Sequence, residues 1–170
     1  MIAIRRSDWT KLSWQEAQET VVKMLQEYGF MVFNEKQVYN GRVDGVVIKR
    51  YPSKIIIGII EVKHYKKVSN SVREKAMFQS LKYLRSVFDD MSRRYPQRMQ
   101  RYFLATVFTN DYPTSGNTLF IRKFKDQIPQ FIKDRAEITV LGSTPDQFIS
   151  VLKKKGVLEA KQQTLDEFFK

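Results

Sequence analysis

The run Ile55-Ile56-Ile57-Gly58-Ile59-Ile60 constrains this chain more than any other feature. A strand sends successive side chains to opposite faces, so a run that is apolar at both parities must be covered on both sides. Such a strand belongs in the middle of a sheet, with helices packed over each face, and that requirement points to an α/β fold.

The flanking sequence supplies the other parts. Phe30 to Val38, Arg42 to Lys49 and Lys54 to Val62 are rich in Val, Ile and Phe, with Asn40-Gly41 and Pro52-Ser53 as the turns between them, which predicts three strands. Ahead of them Ser13-Trp14-Gln15-Glu16 forms a capping box. Ala17, Val21, Met24, Leu25 and Tyr28 follow at helical spacing until Gly29, an amphipathic helix with a glycine stop. Beyond the isoleucines, Val72, Ala76, Met77, Leu81, Leu84 and Phe88 predict a second helix from Ser71 to Phe88, and Arg101 to Thr109 reads as another buried strand. Asp111 to Asn117 is a loop, Thr118 to Phe124 a short strand or an extended connection, and Ile138 to Leu141 a strand. Thr144-Pro145-Asp146-Gln147 caps a last helix running to about Lys155, with Thr144 as N-cap and Pro145 at the first helical position. The predicted order is α-β-β-β-α-β-β-α, one domain over residues 1–156, followed by a tail over 157–170 without a domain-building pattern.

Composition narrows the function classes. There is no Cys, which excludes disulfides, thiol nucleophiles, zinc fingers and cysteine-held iron–sulfur clusters. No apolar run approaches the roughly 20 residues of a membrane-spanning helix, and Met1 to Lys11 lacks the apolar core of a secretory signal, so a soluble intracellular protein without a membrane partner is expected. The formal net charge is +12, and Lys63 to Arg101 alone carries 11 basic against 3 acidic residues, that is +8. A field concentrated in one stretch suits a polyanion. Nucleic acid is favoured over an anionic membrane, because no segment joins this charge to an exposed apolar stripe. The plain alternative is charge that serves solubility alone.

Within that frame three short patterns carry chemistry. Asp44 sits among apolar Val43, Val46 and Val47, where an unpaired carboxylate is costly. Glu61 and Lys63 end the isoleucine strand two residues apart, so both emerge on the same side of the sheet. Asp44 and Glu61 on paired strands would converge on one hard cation, Mg²⁺ or Mn²⁺, with Lys63 placed to act on a reacting phosphate. Gln79 and Tyr83 lie four apart, on one helical face. A lone Glu-x-Lys is also what an ordinary edge ion pair looks like, and its weight comes from this company.

In this combination the chain resembles the PD-(D/E)XK nuclease superfamily and its RecB-like group. The resemblance runs from about Ser13 to Thr109 through Gly41-Arg42-Val43-Asp44, Glu61-Val62-Lys63 and Gln79 with Tyr83. It implies a restriction-endonuclease-like α-β-β-β-α-β core, with a mixed sheet flanked by helices, and a metal-dependent deoxyribonuclease activity. The cation would be held by Asp44, Glu61 and the backbone carbonyl of Val62; Lys63 would be the catalytic lysine, and Gln79 and Tyr83 would place the DNA backbone and that lysine. Many relatives complete the metal site with a glutamate on the first helix. Here the usual place falls on Gln18, and since Glu16 serves the capping box, Glu19 is the candidate. His64 points away from Lys63 and stays outside the site. Arg42, Lys66, Lys67, Arg73, Lys75 and Lys82 are candidate phosphate contacts.

The tail carries its own pattern, Gln162-Gln163-Thr164-Leu165-Asp166-Glu167-Phe168-Phe169. It resembles the box by which replication and repair proteins dock on the sliding clamp PCNA: one 3₁₀ turn brings Leu165, Phe168 and Phe169 together as an apolar plug and leaves Gln162 to hydrogen-bond. Alternatively, the two rings fold back onto their own domain. The expected protein is thus a clamp-tethered DNA nuclease of repair, recombination or replication, in an archaeal cytoplasm or a eukaryotic nucleus. A homodimeric junction resolvase and a catalytically silent DNA-binding clamp adaptor are the alternatives.

Overall fold

The structure, a computed structural model, describes residues 11–33, 37–38, 41–42, 45–110 and 117–158. In chain order its elements are α1 (Trp14–Gln26), β1 (Met31–Val32), β2 (Gln37–Val38), β3 (Gly41–Arg42), β4 (Gly45–Arg50), β5 (Lys54–Lys63), α2 (Asn70–Arg94), β6 (Met99–Phe108), α3 (Asn117–Asp126), α4 (Gln130–Lys133), β7 (Ala136–Ser143) and α5 (Pro145–Lys154). The isoleucine run is the middle of β5, which lies at the centre of a five-stranded sheet ordered β1-β4-β5-β6-β7. β1, β4 and β5 pair antiparallel, with Gly45 opposite Ile60, whereas β5, β6 and β7 run parallel. The result is a mixed sheet with helices on both faces, an α/β architecture consistent with a restriction-endonuclease-like core.

Parity sorts the isoleucines as expected. Ile55, Ile57 and Ile59 pack with Tyr102, Leu104 and Phe108 under α2, α3 and α4, while Ile56, Ile60 and Val62 pack with Phe103, Ala105 and Val107 under α1 and α5. Each isoleucine withdrawn from water in this way contributes on the order of 1.5–3 kcal/mol. At Gly58 the second face leaves no room for a side chain: a Cβ there would run into the Phe103 ring, which occupies the space a side chain would need.

The helix ends explain themselves locally. Ser13 and Glu16 close the predicted capping box with reciprocal bonds of 3.2 Å, and Gly29 takes the positive φ of 88° that stops α1. α5 begins at Thr144 and Pro145 as predicted, although the Thr144 side chain makes no capping bond.

Four expectations are corrected. Thr118 to Phe124 is part of α3 rather than a strand or extended connection, and α4 follows it. Ile121, Phe124, Ile128 and Ile132 recur at i, i+3, i+7 and i+11 and pack on the first face, so tertiary burial overrides the β-favouring local run. The single strand expected over Phe30 to Val38 is divided between β1 in the main sheet and β2, which pairs with β3 in a separate hairpin. α2 extends six residues past Phe88 to Arg94, because Met91 continues its buried stripe. Val157 and Leu158 are 3% and 6% exposed and belong to the second core, so packing continues two residues past the expected boundary at 156. Among the described residues no helix is long and apolar enough to cross a membrane.

Candidate active site

β5 delivers Glu61 and Lys63 at its carboxyl end, the side of an open parallel sheet where ligands usually sit. Both share the parity of Ile57 and Ile59 and therefore face α2. Their charged groups are 3.3 Å apart, Lys63 Nζ to Glu61 Oε2, with the carboxylate side chain only 3% exposed and the lysine 21%. A carboxylate is withdrawn from water at such a cost only when fixed positive charge or a cation compensates it. The antiparallel pairing with β4 ends at Gly45 opposite Ile60, one residue short of Glu61. Asp44, the proposed first ligand, lies outside the described residues.

The parallel register places Thr106 beside Glu61 on the same face, 1% exposed, and a hydroxyl there offers the carboxylate a polar wall. Sequence reading missed it, since nothing local announces which residue of β6 stands next to Glu61. Gln79 and Tyr83 are both half-buried on α2, and Tyr83 packs against the first core. α2 starts at the carboxyl end of β5 and runs back toward its beginning, so these two lie on the same face as Glu61 and Lys63. His64, just past the end of β5, hydrogen-bonds through Nδ1 to the Thr109 hydroxyl, while the Thr109 N–H donates to the Lys63 carbonyl at 2.9 Å. This pairing fixes the end of β5 against β6.

The remaining predicted residues separate. Lys66, Lys67, Lys75 and Lys82 are exposed on or just before α2, as phosphate contacts need to be. Arg42 belongs by its backbone to β3, whose partner β2 lies against α2. Arg73 differs from them: it is 1% exposed in the first turn of α2, whereas a phosphate contact needs an accessible guanidinium. Glu19 is exposed and sits about 200° around α1 from the buried Ala17, on the side turned from the sheet. The stripe of α1 nearest β4 instead carries Val22, 3.6 Å from where a Gly45 Cβ would be, and one turn earlier the half-buried Gln18. Among the described residues no group of three or more His, Asp or Glu side chains could hold a metal. Gln162, Leu165, Phe168 and Phe169 lie outside the described residues.

No family model matches this chain, and no curated protein matches it. Among solved structures it is similar to Pyrococcus furiosus SfsA in complex with Ca²⁺, at 12% identity over 75% of this chain with a TM-score of 0.32. The chain spans 55% of the length of that protein.

Proposed function

We propose that the protein is a metal-dependent nuclease that hydrolyses phosphodiester bonds in DNA. One observation carries the reading: a buried carboxylate and a lysine, two residues apart at the carboxyl end of a doubly covered strand, hold their charges 3.3 Å apart. An ordinary edge ion pair would leave both groups in solvent, where it is worth little.

In this reading Asp44, Glu61 and the Val62 carbonyl hold Mg²⁺ or Mn²⁺; the register supports the grouping, since Asp44 and Glu61 are the next residues after the paired Gly45 and Ile60. Bound there, such a cation supplies Lewis acidity and a water of lowered pKa. Lys63 orients the attacking water and offsets negative charge as it grows on the phosphoryl oxygens. Water adds to phosphorus, one P–O ester bond breaks, and the leaving oxygen takes a proton. Gln79 and Tyr83 hold the lysine and the DNA backbone in place. Lys66, Lys67, Lys75, Lys82 and Arg42 contribute the phosphate contacts that bind DNA without reading sequence. The tail, with Gln162, Leu165, Phe168 and Phe169, docks the enzyme on the PCNA clamp.

The test is a digest of end-labelled single-stranded, duplex, flap and four-way DNA with Mg²⁺, with Mn²⁺ and with chelator. Cleavage that needs either cation and is lost in Glu61→Gln is the expected result. DNA binding without cleavage under every condition would leave a silent adaptor instead. For the clamp, the full chain should give binding heat with PCNA that disappears on deleting residues 162–170, with intrinsic cleavage unchanged.

A further inference from the structure

The opposite end of the sheet, where β5, β6 and β7 begin, holds an open cleft of about 450 Å³. Its charged lining is four basic residues, Lys54, Arg101, Lys133 and Arg135, against Asp134 and Glu137. Four basic against two acidic side chains leave a net formal charge of +2 on the lining. The Asp134 carboxylate, at the end of α4, accepts from the Gln130 amide at 2.8 Å. Glu137, 75% exposed, stands 3.7 Å from Arg101 Nε, too far for a hydrogen bond.

Arg101 is also the most firmly held of the four. Its Nη1 donates to the Gly156 carbonyl at 2.8 Å and its Nη2 to the Lys155 carbonyl at 3.2 Å, while Nε is buried without a hydrogen bond. Neutral carbonyls thus fix its position and leave its charge in place. Lys133 and Arg135 are exposed at the mouth. A concave surface with an excess of positive charge concentrates anions, and guanidinium with ammonium groups is the donor set that suits phosphate oxygens.

We propose that this cleft binds a phosphate group, on a ligand distinct from the DNA segment at Glu61 and Lys63. The separation follows from β5 itself: ten residues at about 3.3 Å each put Lys54 roughly 30 Å from Lys63. One phosphate cannot serve both ends. The cleft is also of the size that takes a nucleotide-sized ligand rather than a lone ion. Its phosphate belongs either to a free nucleotide-like molecule or to the backbone of a second nucleic-acid segment. The inference does not depend on the nuclease reading.

The test titrates pyrophosphate, and separately a 12-base-pair duplex, into the full-length protein, into Lys133→Glu with Arg135→Glu, and into Lys63→Ala. Pyrophosphate should bind the wild type and Lys63→Ala alike. The double variant, with its circular dichroism unchanged, should bind at least tenfold more weakly. Absence of pyrophosphate binding by the wild type would overturn the proposal, and so would retained binding in the double variant or loss of it in Lys63→Ala. With pyrophosphate binding lost in the double variant, a parallel fall in duplex affinity identifies nucleic-acid backbone as the source. Unchanged duplex affinity identifies a small phosphate ligand.

Discussion

The two ends of the sheet carry the same kind of ion pair in opposite settings. At the carboxyl end of β5, Glu61 meets Lys63 at 3.3 Å with the carboxylate 3% exposed; at the beginning of β6, Arg101 meets Glu137 at 3.7 Å with the carboxylate 75% exposed. The difference is one of constraint. An exposed carboxylate exchanges its partner for water at almost no loss, so its pairing says little about what it is for. A buried one keeps a fixed geometry and a fixed need for positive charge, the two properties required to hold a cation and to act on a phosphate. Depth, rather than residue type, separates the candidate catalytic pair from a decorative one.

The contrast breaks first, and furthest, at Lys63. Lys63→Ala should lower the DNA cleavage rate about a thousandfold, roughly 4 kcal/mol of barrier, while DNA affinity in a gel-shift titration stays within a few fold. Equal losses of binding and cleavage would make the pair electrostatic scaffolding. The middle of the same strand sets the scale for pure packing. Gly58→Ala drives a methyl into the Phe103 ring and should cost about 1–3 kcal/mol in denaturant unfolding. At the exposed end, Glu137→Ala should change stability by less than about 1 kcal/mol in the same assay. A larger loss there would erase the distinction between the two ends.

Much of this arrangement was legible before any coordinates, and for local reasons. The isoleucine run has to be covered twice, and a period of two puts Glu61 and Lys63 on one side. The capping box at Ser13 likewise needs nothing beyond four consecutive residues. What escaped depends on distant packing. Arg73 reads as one more basic residue in a basic stretch, and only the folded structure shows it buried. Thr106 and Thr109 gain their places beside Glu61 and His64 from the parallel register of β5 and β6, which joins residues more than forty positions apart. The Thr118 to Phe124 segment misleads because its β-branched and aromatic residues suit a strand locally, while the first core takes Ile121 and Phe124 from one side of α3. Glu19 differs again: the choice between neighbouring carboxylates on α1 turns on the helix's rotation about its axis, and Ala17, Val21 and Leu25 settle that rotation against it.

The anchoring of the last described residues has a mechanical consequence. Arg101 grips the carbonyls of Lys155 and Gly156 beside the start of β6, and Val157 and Leu158 are sunk into the second core, so the chain departs from the pole of the molecule remote from Lys63. From Leu158 to Gln162 the chain can stretch at most about 14 Å. A clamp docked on the segment from Gln162 onward, as proposed above, would thus be reached from the pole opposite Glu61 and Lys63, a sheet's length away.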